Sequence, residues 1–357
     1  MNKYIFIAII IPIAIFFSAL NFTALRDFDN YFKPDSAGRI LGAREAFGDN
    51  SGRVMIAEKK YDDQVVKVIS NSQDGHLPEI IDIKNEVCLP NSGNKIFGPV
   101  KMPDYQEINI DCSKSCALDL ETERVVYDKN KDEAAPIASI TKLMTALVFL
   151  DYNPGWETIY EISREDRIEG GKEYLFLGEK ATVKDLFYTS LVGSANGATL
   201  AMVHSTGMTE KQFVEEMNKK AFSLGLLKTN FEDATGLSNK NISTAHETAM
   251  LAKYALEQEE INKATLKKIH EFKTVQGVKK KIYTTDYLLE NFSEDGIRII
   301  GGKTGYTEAA KYCFVGIFTD KYGNRVITSV LGGDSKNSRF SETKKLAEWV
   351  YGNYIWD

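Results

Sequence analysis

Ser139 and Lys142 stand three residues apart in Ser139-Ile140-Thr141-Lys142. A lysine held among apolar side chains is pushed toward its neutral form, because desolvation penalises the ammonium. The free amine can then take the proton of a nearby serine hydroxyl and turn it into a nucleophile. The chemistry needs both groups on one face of one element. Ile140, Leu143, Met144, Leu147 and Val148 recur at i, i+3, i+4, i+7 and i+8, which predicts a buried helix from Pro136 to Leu150, starting near the proline. Residues three apart on a helix share a face, so Ser139 and Lys142 point the same way. The bland reading of the same four residues is a surface lysine that snorkels to water.

Two further segments carry groups that could complete such a site. Ser194-Ala195-Asn196 sits among small residues before a helical pattern resumes at Thr199 to Val203. A serine and an asparagine at such a turn read either as a helix cap or as a proton relay and an amide donor facing a cleft. Gly301-Gly302-Lys303-Thr304-Gly305-Tyr306-Thr307 follows the strand-like Ile297 to Ile300 and precedes the strand-like Tyr312 to Phe318. Lysine and threonine on a strand edge can hold a carboxylate, and Gly305 lets another backbone come close.

In this order the three segments are the S-x-x-K, S-D-N-like and K-T-G signature of penicillin-binding proteins and class A β-lactamases. Over roughly residues 105 to 357 the chain resembles the low-molecular-weight penicillin-binding proteins of the D-alanyl-D-alanine carboxypeptidase family. Ala117 to Tyr127 looks like that family's opening hairpin, and Pro136 to Leu147 like its nucleophile helix. Thr229-Asn230-Phe231, Thr235-Gly236-Leu237, Ser243-Thr244-Ala245, Cys313, Leu346 and Trp349 extend the likeness. There are departures. The usual S-G-N-D reads Ser194-Ala195-Asn196-Gly197 here and loses its acid. His246-Glu247 stands where Arg-Asp is common. Thr284-Thr285-Asp286 lacks the arginine often found before K-T-G, which leaves substrate preference less defined than reaction class.

The resemblance implies the serine β-lactamase/DD-peptidase fold, an α/β (α+β) protein, and a set of roles. Ser139 attacks the penultimate D-alanine carbonyl of a peptidoglycan stem peptide, with Lys142 as proton acceptor. Ser194 relays a proton to the leaving nitrogen, and Asn196 holds the substrate amide. Lys303 biases Ser194, and Thr304 and Thr307 bind the terminal carboxylate. The backbone N–H groups of Ser139 and Tyr306 form the oxyanion hole, and the peptide lies along Lys303, Thr304, Gly305 and Tyr306 as an added strand. β-Lactams would acylate Ser139 and leave slowly. No cofactor or metal is implied. A DD-endopeptidase cutting cross-links is the nearest competing reading. A class A-like β-lactamase would need a carboxylate for its water, yet Glu232 reads as a solvated loop charge. A non-catalytic wall-binding protein is the remaining alternative.

The rest of the chain sets the context. The net charge of -6 gives no reason to expect a nucleic-acid partner. Tyr4 to Leu20 carries no charge, and the apolar run continues to Leu25 between Lys3 and Arg26. Residues 4–25 therefore read as a membrane anchor with its positive end inside, the alternative being a cleaved signal. Either places the catalytic domain on the extracytoplasmic face of the bacterial membrane or beyond it. Residues 27–104 read as a stalk or small β-rich module, with strand-like runs at Gln64 to Ile69 and Glu79 to Ile83. Export permits disulfides among Cys88, Cys112, Cys116 and Cys313, with the pairing open and Cys313 expected free and buried. The four histidines, His76, His204, His246 and His270, are scattered and read as structural. A hairpin at 115–128, helices between 136 and 271, and strands at 297–303, 311–319 and 325–332 predict one antiparallel sheet with helices on both faces.

Overall fold

The computed structural model describes residues 98–292 and 296–356, and three strands of the N-terminal region. The chain divides into two compact units, Met1–Gly93 and Asn94–Asp357. In the first, β1 (Ala43–Phe47), β2 (Arg53–Tyr61) and β3 (Gln64–Asn71) pair antiparallel in that order. The run expected at 64–69 is β3. The apolar segment at 4–25, the run at 79–83, His76 and Cys88 lie outside the described residues. Among the described residues no helix is long and apolar enough to cross a membrane.

The second unit is built on a five-stranded sheet. β4 (Lys114–Asp119) and β5 (Val125–Lys129) form the opening hairpin. A helical middle follows, with two small ribbons at its margin, β6 (Ile159–Glu161) with β7 (Lys180–Thr182) and β8 (Ile269–Lys273) with β9 (Lys279–Tyr283). Its helices are α1 (Lys142–Asp151), α2 (Val183–Val192), α3 (Asn196–Ser205), α4 (Glu210–Ser223), α5 (Ala245–Leu256) and α6 (Glu259–Thr265). Then come β10 (Arg298–Thr307), β11 (Lys311–Thr319), β12 (Arg325–Gly333) and α7 (Ser338–Asn353). The sheet order is β10-β11-β12-β4-β5, all antiparallel.

Alternation along β11 shows why helices cover both faces. Cys313, Val315 and Ile317 pack into the main core with α1 and α5 residues such as Leu143 and Ala249. Phe314 and Phe318 point the other way, onto Phe340 and Ala347 of α7. Among the described residues β10 pairs only with β11, so its outer edge is left facing the helical middle. The helices are capped as their sequences require. Thr182 and Thr244 accept N–H groups of Asp185 and Glu247, and Thr209 with Gln212 forms a capping box that starts α4 with Phe213 and Met217 inward.

One boundary differs from expectation. Pro136 is not helical; it pairs with Ile242 in a short bridge. The helix opens as a 3-10 turn, Ala138–Thr141, and becomes α-helical at Lys142. The shared face survives, because residues three apart eclipse one another in a 3-10 turn. Cys112, Cys116 and Cys313 are free thiols, so no bridge joins Cys112 to Cys116, and Cys313 is buried as expected.

Candidate active site

The sequence-predicted serine and lysine meet. Lys142 Nζ donates to Ser139 Oγ at 3.1 Å, Asn196 Oδ1 at 2.7 Å and the Thr235 carbonyl at 2.6 Å. Lys142 is fully buried, and this pulls its pKa down to about 7, with only Asp233 pulling the other way. A second pair faces the first. Lys303 Nζ donates to Ser194 Oγ at 2.8 Å and to the Thr304 carbonyl at 3.0 Å. Burial, then repulsion by Lys142 and Arg339, drives Lys303 well below the usual lysine range against the attraction of Asp286. Both serines are half-buried, unlike the two lysines, which are buried.

The local backbone explains how two serines come to face two buried lysines. Ala138 (φ 49°) and Ser194 (φ 54°) sit in the left-handed region, which costs about 1–3 kcal/mol for a residue other than glycine. Ser194 is not a helix cap, and nor is Asn196. Ala195 holds the cap position of α3 without a side-chain bond, and Asn196 is the first helical residue. Gly305 permits the close approach expected of it: a Cβ there would lie 2.7 Å from the Ile137 carbonyl oxygen. Strand β10 therefore runs directly against the turn that carries Ser139, which brings the Tyr306 end of the strand alongside that serine.

Gly236 closes the other side. Its φ is +90°, and a Cβ would stand 2.1 Å from the Ala138 carbonyl oxygen. Gly236→Ala is expected to cost about 3–5 kcal/mol, because neither partner in the clash is a movable side-chain end. Thermal unfolding should show a melting temperature lower by roughly 10 °C. An unchanged melting temperature would mean that the 233–238 loop does not buttress Ser139.

Sequence reasoning missed three charged groups here. Asp233 accepts the N–H groups of Thr235 and Gly236, both at 2.6 Å, and the Thr235 hydroxyl at 2.8 Å. Burial alone would raise this carboxyl, but those bonds and that from Ser238 N–H hold it below its usual value. It thereby shapes the loop whose Thr235 carbonyl holds Lys142. Arg339, in the first turn of α7, is buried and donates to the Gly305 carbonyl at 3.0 Å. It stands 36 residues beyond Lys303 (339 − 303). Its signal was present: Arg339, Thr343, Leu346 and Val350 line one buried helix face. Asp286 is buried with Oδ2 unpartnered, and burial raises it to about 7 despite Lys303 and Arg339.

The remaining expected residues divide. Thr304 lies in the site, its hydroxyl 2.7 Å from that of Thr285. The Thr307 hydroxyl accepts the Ala310 N–H at 3.1 Å and so helps form the turn after β10. Tyr306 is exposed and stacks on Tyr312. Glu232 pairs with Lys240 on the surface, as a solvated charge should.

The sequence profile of the D-alanyl-D-alanine carboxypeptidase family (Peptidase_S11) matches residues 101–335, about two thirds of the chain and all three motifs. The chain belongs to this family. It is 31% identical over 263 residues to a Bacillus subtilis D-alanyl-D-alanine carboxypeptidase, covering 70% of this chain and 64% of the relative. It is 34% identical over 237 residues to a Haemophilus influenzae D-alanyl-D-alanine endopeptidase, covering 64% of this chain and 78% of the relative. Among solved structures, a Streptomyces DD-transpeptidase aligns with a TM-score of 0.65 at 28% identity, over 69% of this chain and 99% of that one. The DD-peptidase fold expected from the motifs is the fold observed.

Proposed function

We propose that this D-alanyl-D-alanine carboxypeptidase family member removes the terminal D-alanine from peptidoglycan stem peptides through a Ser139 acyl-enzyme. The observation that carries the reading is the Ser139–Lys142 contact, with a buried lysine near pKa 7 beside a second serine–lysine pair. Ser139 Oγ attacks the penultimate D-alanine carbonyl carbon while its proton passes to neutral Lys142. The oxyanion forms against the Ser139 and Tyr306 N–H groups. The peptide C–N bond then breaks as Ser194 relays the proton held by Lys142 to the departing D-alanine nitrogen, giving up its own hydroxyl proton and taking that one in exchange. Water attacks the ester, releases the shortened stem and restores the Ser139 hydroxyl. Asn196 binds the substrate amide. Thr304 binds the terminal carboxylate, with Thr307 beyond it and Arg339 supplying positive charge from behind Gly305. The free edge of β10 accepts the peptide as a further strand.

Residues 4–25 are proposed to anchor the enzyme at the extracytoplasmic face of the membrane, with β1–β3 belonging to the module between anchor and enzyme. β-Lactams, whose strained amide presents a similar carbonyl, are proposed as slowly released inhibitors. Since the Haemophilus relative is named an endopeptidase, cross-link cleavage is the second reading. The test is to supply the full-length protein with a stem pentapeptide and with a D-alanyl cross-linked muropeptide dimer. Faster D-alanine release from the pentapeptide is expected; faster cleavage of the dimer would assign the endopeptidase activity instead.

A further inference from the structure

Asn196 is held from two sides. Its Oδ1 accepts from Lys142, and its Nδ2 donates to the Gly170 carbonyl at 2.8 Å. Gly170 belongs to the segment between β6 and β7. Gly170 and Gly171 have φ of +100° and +79°, and a Cβ on Gly171 would lie 3.5 Å from the same Nδ2. The segment therefore lies directly over the amide.

Little apolar packing keeps it there. From Arg164 to Glu173 every side chain but one is exposed, and the exception is Asp166. The Asp166 carboxylate is saturated. It accepts the Ser163 N–H at 2.7 Å, the Ser163 hydroxyl at 2.9 Å and the Tyr160 hydroxyl at 3.1 Å. Its Oδ1 also lies 2.6 Å from His204 Nδ1. His204 occupies the last turn of α3, the helix that Asn196 begins. A Cβ at Gly197 would come 3.1 Å from the Asp166 carbonyl oxygen, so the segment runs along α3 from its end back to its start. Gly197, directly after Asn196, thus has backbone from this segment lying against it.

We propose that Asp166 and His204 form a latch that positions Asn196, clamping the 163–173 segment along α3 so that the Gly170 carbonyl orients the substrate-binding amide. The proposal rests on the reading of Asn196 as a substrate-binding residue. His204 and Asp166 are positioning residues; neither touches the reacting atoms.

The charge around the latch makes it titrate. Asp166 and Glu165 from the segment and Glu210 from α4 favour the charged form of His204, while the neutral Tyr160 of β6 bonds the same Asp166 carboxylate. The Asp166 bond, ahead of the cost of burial, raises the His204 pKa. Asp166 is lowered, since the His204 and Ser163 bonds outweigh its burial. A raised histidine contributes fully below its unfolded value and loses that contribution as pH rises through the folded one. A lowered carboxylate loses its contribution as pH falls through its folded value. The latch is closed between these limits and loosens as pH rises through the raised His204 pKa. Substrate affinity should then fall as pH rises.

The test measures KM and kcat for D-alanine release by the full-length protein from about pH 6 to about pH 9, with the active fraction counted by fluorescent penicillin. Wild-type KM is expected to rise across the His204 titration. His204→Asn keeps a donor near the Nδ1 position without the charge, and its KM should be roughly threefold higher at the acid end and flat with pH. His204→Phe and Asp166→Asn should raise KM roughly tenfold, with kcat per active site changed much less. KM values that overlay wild type at every pH, or losses that vanish once corrected for active fraction, would overturn the latch. A wild type that takes no penicillin would overturn the catalytic reading and the latch's role in it together.

Discussion

Ser139→Ala is expected to form no covalent adduct with a fluorescent penicillin under conditions where the wild type forms a long-lived one. The substitution removes the hydroxyl that lies 3.1 Å from the Lys142 amine. The other serine of the site, Ser194, is bonded to Lys303. D-Alanine release should fall by at least ~10⁴-fold, leaving what the oxyanion donors and substrate positioning supply without a nucleophile. The fold should be nearly untouched, because Ser139 is half-buried and Lys142 keeps its bonds to Asn196 and Thr235. The measurement is an adduct time course beside a melting curve. An adduct of equal yield on the alanine variant would move the nucleophile to Ser194. No adduct on either protein, with the penicillin intact, would favour the wall-binding alternative.

Lys142→Met should separate catalysis from stability even more sharply. Acylation by penicillin is expected to fall by about 10³-fold, the scale of a lost general base. Its pH dependence should change as well. Burial holds the Lys142 amine near pKa 7, so wild-type acylation should climb through that pH and level off above it. The methionine variant should lack that limb. Stability responds differently. The unfolded lysine binds its proton up to about pH 10.5 and the folded one only to about 7, so between these values the unfolded chain holds more protons and wild-type stability rises with pH. Methionine removes this dependence along with the desolvated amine. It also leaves Asn196 Oδ1 and the Thr235 carbonyl without that donor, at roughly 1–3 kcal/mol each. The two effects oppose, and the melting temperature near neutral pH should move by only a few degrees. A variant that keeps its acylation limb near pH 7 would assign the base elsewhere.

The parts of the site that were legible in sequence are those fixed by local spacing. Ser139 and Lys142 are three residues apart, and one turn of helix joins them whether it is 3-10 or α. The K-T-G strand was legible from its β-rich flanks, and β11 falls at 311–319 as expected. What spacing does not encode is approach through space. Arg339 reaches Gly305 only because α7 packs on the sheet face behind β10. Asp233 matters through the loop carbonyls it arranges, and no side-chain pattern announces that. The choice between helix cap and cleft residue at Ser194 and Asn196 depended on where two distant lysines would lie. The helix start was misplaced because a proline suits both the first helical turn and the extended bridge it actually makes with Ile242.

The order of the strands governs when activity can appear during synthesis. β4, near the start of the catalytic unit, pairs with β12, about two hundred residues later, as in Leu118 with Ile327. Until β12 exists, the early hairpin has no neighbour on that side, and β10 has no completed sheet to hold it against Ser139. A nascent chain thus carries Ser139, Lys142, Ser194 and Asn196 long before Lys303 can be set among them. The proposed site is therefore assembled only once the sheet closes around it.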